Sequence, residues 1–181
     1  MLEPSSFAGQ NWVITPAALA AGEAAPKQIR DQVWFLVLSG VALVDVKGVS
    51  GSEWRRETVL LRPDLSGPLQ HAIARYGIPT PPGAEGYNFT TRFRVEQWAP
   101  FAALSSIFNE QESINSGFAV DVWRPHPFES QQDAFSNAML DRLFSGIQVD
   151  IAVRDSDAWI YRLSYNITLV GKIVFSPIII T

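Results

Sequence analysis

The chain has no cysteine and only two histidines, His71 and His126, in 181 residues. The first absence excludes a disulfide framework, a thiolate metal site and a cysteine nucleophile. The second leaves no imidazole pair at zinc-ligand spacing, so no metal site is expected. Charge is also sparse, at 18% of residues, and acidic side chains outnumber basic ones by 18 to 14. A net charge of −4 provides no surplus of Lys and Arg to neutralise a run of phosphates, so nucleic acid is expected to bind weakly if at all. No Gly-x-x-x-x-Gly-Lys loop, Gly-x-Gly-x-x-Gly turn or Gly-x-Ser-x-Gly elbow occurs. The common nucleotide-binding and hydrolase signatures are therefore missing, and neither a cofactor nor a catalytic residue is assigned.

The longest apolar run, Val33 to Val46, is broken by Ser39, Gly40 and Asp45 and is too short to span a bilayer as a helix. The opening MLEPSSFAGQNWVITP lacks the basic start and unbroken apolar core of a secretion signal. The expected setting is the cytoplasm.

What is present is apolar surface. Hydrophobic residues make up 47% of the chain, enough for a globular fold that buries roughly 70% of its unfolded surface. The expectation is one domain over 1–181, with 1–31 as an N-terminal extension.

The strongest pattern is at the C-terminal end. Every second residue from Trp159 gives Trp159, Tyr161, Leu163, Tyr165, Ile167, Leu169, Gly171, Ile173 and Phe175, while Arg162, Ser164, Asn166, Thr168 and Lys172 interleave. Period-two alternation of this length predicts a strand with one face in the core, bent or bulged at Gly171. Asp155-Ser156-Asp157 before it predicts a hairpin with a strand over Gly146–Arg154.

The segment Gln32–Val46 is apolar on both parities and predicts a strand covered on both faces, bulged or folded back at Ser39-Gly40. Trp54–Leu61, Tyr87–Gln97 and the stretch marked by Phe118, Val120 and Val122 predict further strands. Leu69, Ala72, Ile73 and Tyr76, with Pro68 near the start and Gly77 at the end, predict a helix over Ser66–Tyr76 that covers the outside of the Val33–Val46 strand. Thr15-Pro16 before AALAAG predicts one helical turn, Pro100 to Phe108 a short helix, and Gln131 to Phe144 another. The sum is a mainly β single-domain antiparallel β-sandwich of jelly-roll or Greek-key type with two or three short helices.

Four groups could carry chemistry. Trp123, Arg124 and His126 sit together in a Pro-broken segment and form a weak ligand-binding candidate. Asp155 and Asp157 suit a calcium ion but suit a turn better. Arg92, Arg94 and Glu96 share a strand face that could hold an anion or simply face water. The many Trp and Phe residues fall on positions expected to face inward.

The closing Ile167-Thr168-x-x-Gly171 followed by Ser176-Pro177-Ile178 resembles the end of the jelly-roll coat proteins of small icosahedral plant viruses of the tymovirus kind. The resemblance implies a self-assembling coat subunit, with a virion as the alternative setting to the cytoplasm, and carries over no functional residue. An apolar tail left in water would also seek a partner, which makes Phe175, Pro177, Ile178, Ile179 and Ile180 candidate contacts in a homo-oligomer. Two other readings are a sandwich that binds a small apolar ligand and an enzyme using His126 with Arg124 or Glu129.

Overall fold

A computed structural model of the chain describes residues 2–22, 32–51, 53–79, 89–109, 117–125 and 143–177. Seven strands alternate with two helices: β1 Ser6–Pro16, α1 Ala17–Ala20, β2 Trp34–Lys47, β3 Trp54–Leu61, α2 Ser66–Tyr76, β4 Phe89–Asn109, β5 Gly117–Pro125, β6 Ile147–Arg154 and β7 Ala158–Pro177. They form a four-stranded sheet in the order β1-β2-β7-β4 and a three-stranded sheet in the order β3-β6-β5. All the named pairings are antiparallel. The architecture is a β-sandwich.

The long alternating strand is central to the four-stranded sheet. From Leu163 onward its inward residues are Leu163, Tyr165, Ile167 and Leu169, all buried. In β2 the inward set is Trp34, Leu36, Leu38, Ala42, Val44 and Val46, one parity without interruption. Across the core stand Val59 and Leu61 of β3 with Ile147, Val149, Ile151 and Val153 of β6. Removal of these apolar side chains from water is the main term holding the sheets together.

Several sequence expectations are corrected. Of the two forms expected for Gln32–Val46, β2 takes the single strand, with its register shift between Leu43 and Val46 rather than at Ser39-Gly40; Gly40 instead leaves room for the Tyr165 ring, where a Cβ would lie 2.6 Å from the phenol oxygen. β6 and β7 are not a hairpin. The Asp155–Asp157 turn carries the chain from one sheet to the other, with Asp155 at φ 86° and Gly48 packed against the Asp155 carbonyl. Pro100–Phe108 is not helical but lies within β4, whose ladder with β7 satisfies the backbone that a helix would have satisfied internally.

β1 was not expected at all within the N-terminal stretch; it pairs with β2 from Ser6 to Pro16 and bulges at Gly9-Gln10. The irregularity expected at Gly171 falls on its partner, where β4 bulges between Val95 and Gln97 and the Arg94 carbonyl packs against Gly171.

Helix α2 lies over its expected span but does not cover the outside of β2. It packs against β1 and β4, and its buried Leu69 and Ala72 join the core, with Tyr76 edge-on to Trp34 at 5.1 Å. It closes one end of the sandwich. Gln10 fixes this connection from β1, donating to the Asp64 carbonyl at 2.6 Å and accepting from the Asp64 N–H at 3.2 Å. Asp64 in turn accepts from the Ser66 N–H at 2.8 Å. Apart from Leu143 and Phe144, the helix expected over Gln131–Phe144 lies outside the described residues. Leu143 is bridged to Arg94 of β4 and Phe144 is buried.

Candidate functional site

The outer face of the four-stranded sheet is the least ordinary surface of the molecule. Register aligns Thr15–Phe35–Val170–Gln97, Val13–Val37–Thr168–Ala99, Asn11–Ser39–Asn166–Phe101 and Ala8–Val41–Ser164–Ala103 across β1, β2, β7 and β4. None of these four rows contains a charged residue. Val13 is 60% exposed and Phe101 61%. A sheet face left to water ordinarily carries charged side chains, which oppose association. Charge returns at the rim, with Asp45 and Arg162 towards one end and Arg94 opposite Lys172 at the other. An uncharged centre within a charged rim is the anatomy of a contact surface.

Strand β4 borders this face and extends its apolar character. It exposes Phe101 and Phe108 on this face, while Trp98 and Ile107, register partners of buried Leu169 and Ile160, are exposed on the other side of the sheet. Among the described residues its outer edge is paired only where Arg94 meets Leu143. A long edge strand with large apolar side chains is a template for further pairing.

A second cluster lies at the Lys47 end of the same sheet. Lys47, Trp159 and Phe108 are register partners across β2, β7 and β4. The Lys47 ammonium sits 3.8 Å above the Trp159 ring, a cation–π contact. Trp159 lies 5.7 Å from Phe108 and 6.4 Å from Tyr161, nearly parallel to the latter. Trp159 and Tyr161 were expected to face the core. A register shift between Ile160 and Leu163 reverses the parity, so that Ile160 and Leu163 are both buried while Tyr161 and Arg162 are both exposed. The expectation that the aromatics face inward fails likewise for Trp12, Trp54, Trp98, Phe101 and Phe108, each at least 36% exposed.

The Tyr165 hydroxyl is trapped in the core. Tyr165 is 2% exposed, its ring stands edge-on to Phe7 at 6.1 Å, and among the described residues its hydroxyl has no hydrogen-bond partner. Burial alone raises its pKa above the ordinary phenol value.

The other sequence candidates are not brought into one constellation. Trp123 and Arg124 belong to β5, where the ladder with β6 shifts and Arg124 comes opposite Gln148; His126 and Glu129 lie outside the described residues. Phe175 is paired with Thr91 and partly buried against its own core, and Pro177 is paired with Phe89. Ile178, Ile179 and Ile180 lie outside the described residues. Asp155 and Asp157 serve the turn, with the Asp157 N–H donating to the Asp155 carboxylate at 3.4 Å. Arg94 faces Lys172 and Arg92 faces Val174, while the β4 bulge displaces Glu96 from that alignment. His71 is exposed on α2, 5.1 Å from the Trp12 ring. Comparison with protein families, with curated proteins and with solved structures found no match for this chain.

Proposed function

We propose that the chain is a non-enzymatic structural subunit that assembles with copies of itself, coat-fashion, through the outer face of its four-stranded sheet. The observation that carries this reading is the run of four charge-free rows, with Val13 and Phe101 exposed and Val37 and Thr168 half-buried between them. A second copy of the same face has nothing there to repel it and no buried charge to desolvate.

Strand pairing supports the jelly-roll form of the sandwich. β2 pairs with β7 and β3 with β6, so an outer pair encloses an inner pair along the chain. β4 then returns to the free side of β7 and β5 to the free side of β6. This nested order is what results when a long antiparallel ribbon is rolled up, the construction of a jelly roll. The bridge from Leu143 to Arg94 brings a further stretch of chain to the outer side of β4.

Magnitude decides what kind of assembly fits. At ordinary strand spacing the four rows span about 20 Å by 20 Å, about 400 Å² on each copy. A stable two-body interface uses about 800 Å² per partner. The face alone therefore makes a weak contact, and a stable assembly combines it with a second one, for which the exposed side chains of β4 are available. Several weak contacts repeated by symmetry describe a shell or lattice better than an isolated dimer.

The reading is tested by Val13→Lys with Phe101→Lys. Both sites are exposed, so folding is expected to be unaffected within about 0.5 kcal/mol. Size-exclusion chromatography with light scattering should show the parent as an oligomer and the double variant shifted towards monomer. An unchanged oligomer in the double variant rules out this face.

A further inference from the structure

We propose that the Lys47 end of the four-stranded sheet is a saccharide-binding shelf formed by Phe108, Trp159 and Tyr161, with Asp45, Lys47 and Arg162 beside them. The inference is independent of self-assembly. It rests on the three aromatic rings at the Lys47 end of that sheet and on a different chemistry.

Three strands depart from regular pairing at this place. β2 shifts register between Leu43 and Val46, and β4 shifts on either side of Ser106, both against the Ile160–Leu163 stretch of β7. Irregularities of this kind re-aim side chains and are frequent beside binding sites. Here they turn Tyr161 outward on the face that already carries Trp159 and Phe108, and leave the three ring centroids 5.7, 6.4 and 6.5 Å apart. Phe108 is 46% exposed and Tyr161 39%, a large apolar area to leave in water for packing reasons alone. The Lys47 ammonium lies over one face of Trp159, so it fixes that ring and sets a donor among the three aromatics, leaving Phe108 and Tyr161 as the more open surface. Asp45 on β2 lies within the shift opposite Tyr161, and Arg162 follows Tyr161 on β7; both are exposed.

The occupant follows from this mixture. A pyranose ring has a flat face of C–H groups that suits an aromatic surface, and a rim of hydroxyls that both donate and accept. The shelf supplies the aromatic surface, a carboxylate that accepts and two cations that donate. A few placed polar groups around an apolar floor are the usual make-up of a small-ligand site. A polyanion would use Lys47 and Arg162 but would meet Asp45 and a chain of net charge −4. An apolar peptide would leave three charged groups without partners.

The experiment is titration calorimetry of the full chain with two neutral β-linked probes, cellohexaose and chitohexaose, alongside oligothymidylate. We expect at least one hexasaccharide to bind, and Tyr161→Ala and Phe108→Ala each to weaken that binding by about tenfold or more with the thermal midpoint unchanged. Tyr161→Phe, which keeps the ring, should retain most of the affinity. The proposal is overturned if neither hexasaccharide binds at about 10 mM, the limit of weak recognition. It is overturned equally if binding survives both alanine variants, or if oligothymidylate binds instead, which would assign the rings to nucleobases.

Discussion

At the scale of the residue, Leu169 and Tyr165 bound what the core tolerates. Leu169 is fully buried, between Leu36 on one neighbouring strand and Trp98 on the other. Leu169→Asp places a carboxylate there without a partner and is expected to cost more than about 4 kcal/mol, enough to unfold a domain of this size. Thr168→Asp, one residue away on the outer face, should cost far less; comparable urea midpoints for the two variants would refute the assigned parity. Tyr165 makes the opposite case. Its hydroxyl is buried without a partner among the described residues, so Tyr165→Phe is expected to be neutral or to stabilise by about 1 kcal/mol. The pH dependence has a definite sign. Because burial raises the phenol pKa, the unfolded chain loses this proton above about pH 10 while the folded chain keeps it. The unfolded state then binds fewer protons, and this contribution to stability is lost as pH rises through the alkaline range. Denaturation curves between neutral and alkaline pH should show that fall in the parent and a shallower one in Tyr165→Phe.

At the scale of the element, the turn from β6 to β7 and the course of β4 explain most of the differences between sequence and structure. The turn was legible and its destination was not. Asp155-Ser156-Asp157 announces a reversal, but the same residues serve a hairpin or a crossing between sheets, and the pairing of β6 with β3 and β5 and of β7 with β2 and β4 makes it a crossing, with Gly48 packed against the Asp155 carbonyl. Asp155 holds φ at 86°, a conformation open to Gly and tolerated by Asp. Asp155→Val is expected to cost about 1–2 kcal/mol and Asp155→Gly little, as read by thermal unfolding. In β4, Trp98-Ala-Pro-Phe-Ala-Ala-Leu fits a helical stripe as well as a strand, and pairing with β7 decides. Pro100 is compatible with the outcome because β4 borders the sheet, and an edge strand can lack one ladder donor. Helix α2 was legible to its ends because Pro68 and Gly77 punctuate it; Gly77 adopts the left-handed cap at φ 61°.

At the scale of the whole molecule, the sandwich was legible because alternation in β7 determines which residues from Leu163 to Leu169 must be buried. Which strand lies beside which is a non-local matter, and period-two patterns carry no partner information. The surface was legible least of all. Whether Val13, Val37, Thr168 and Phe101 form one face depends on the register of four strands drawn from three separate regions of the chain. The aromatic shelf depends on register shifts that the alternation conceals. The account as a whole stands or falls on whether that uncharged face is used between copies. Sedimentation of the unmodified chain across a range from low to high micromolar concentration tests this most directly. The account predicts a mass that grows with concentration towards a closed multiple of the 20.0 kDa subunit. A monomer throughout that range, at every salt and pH tried, would contradict it.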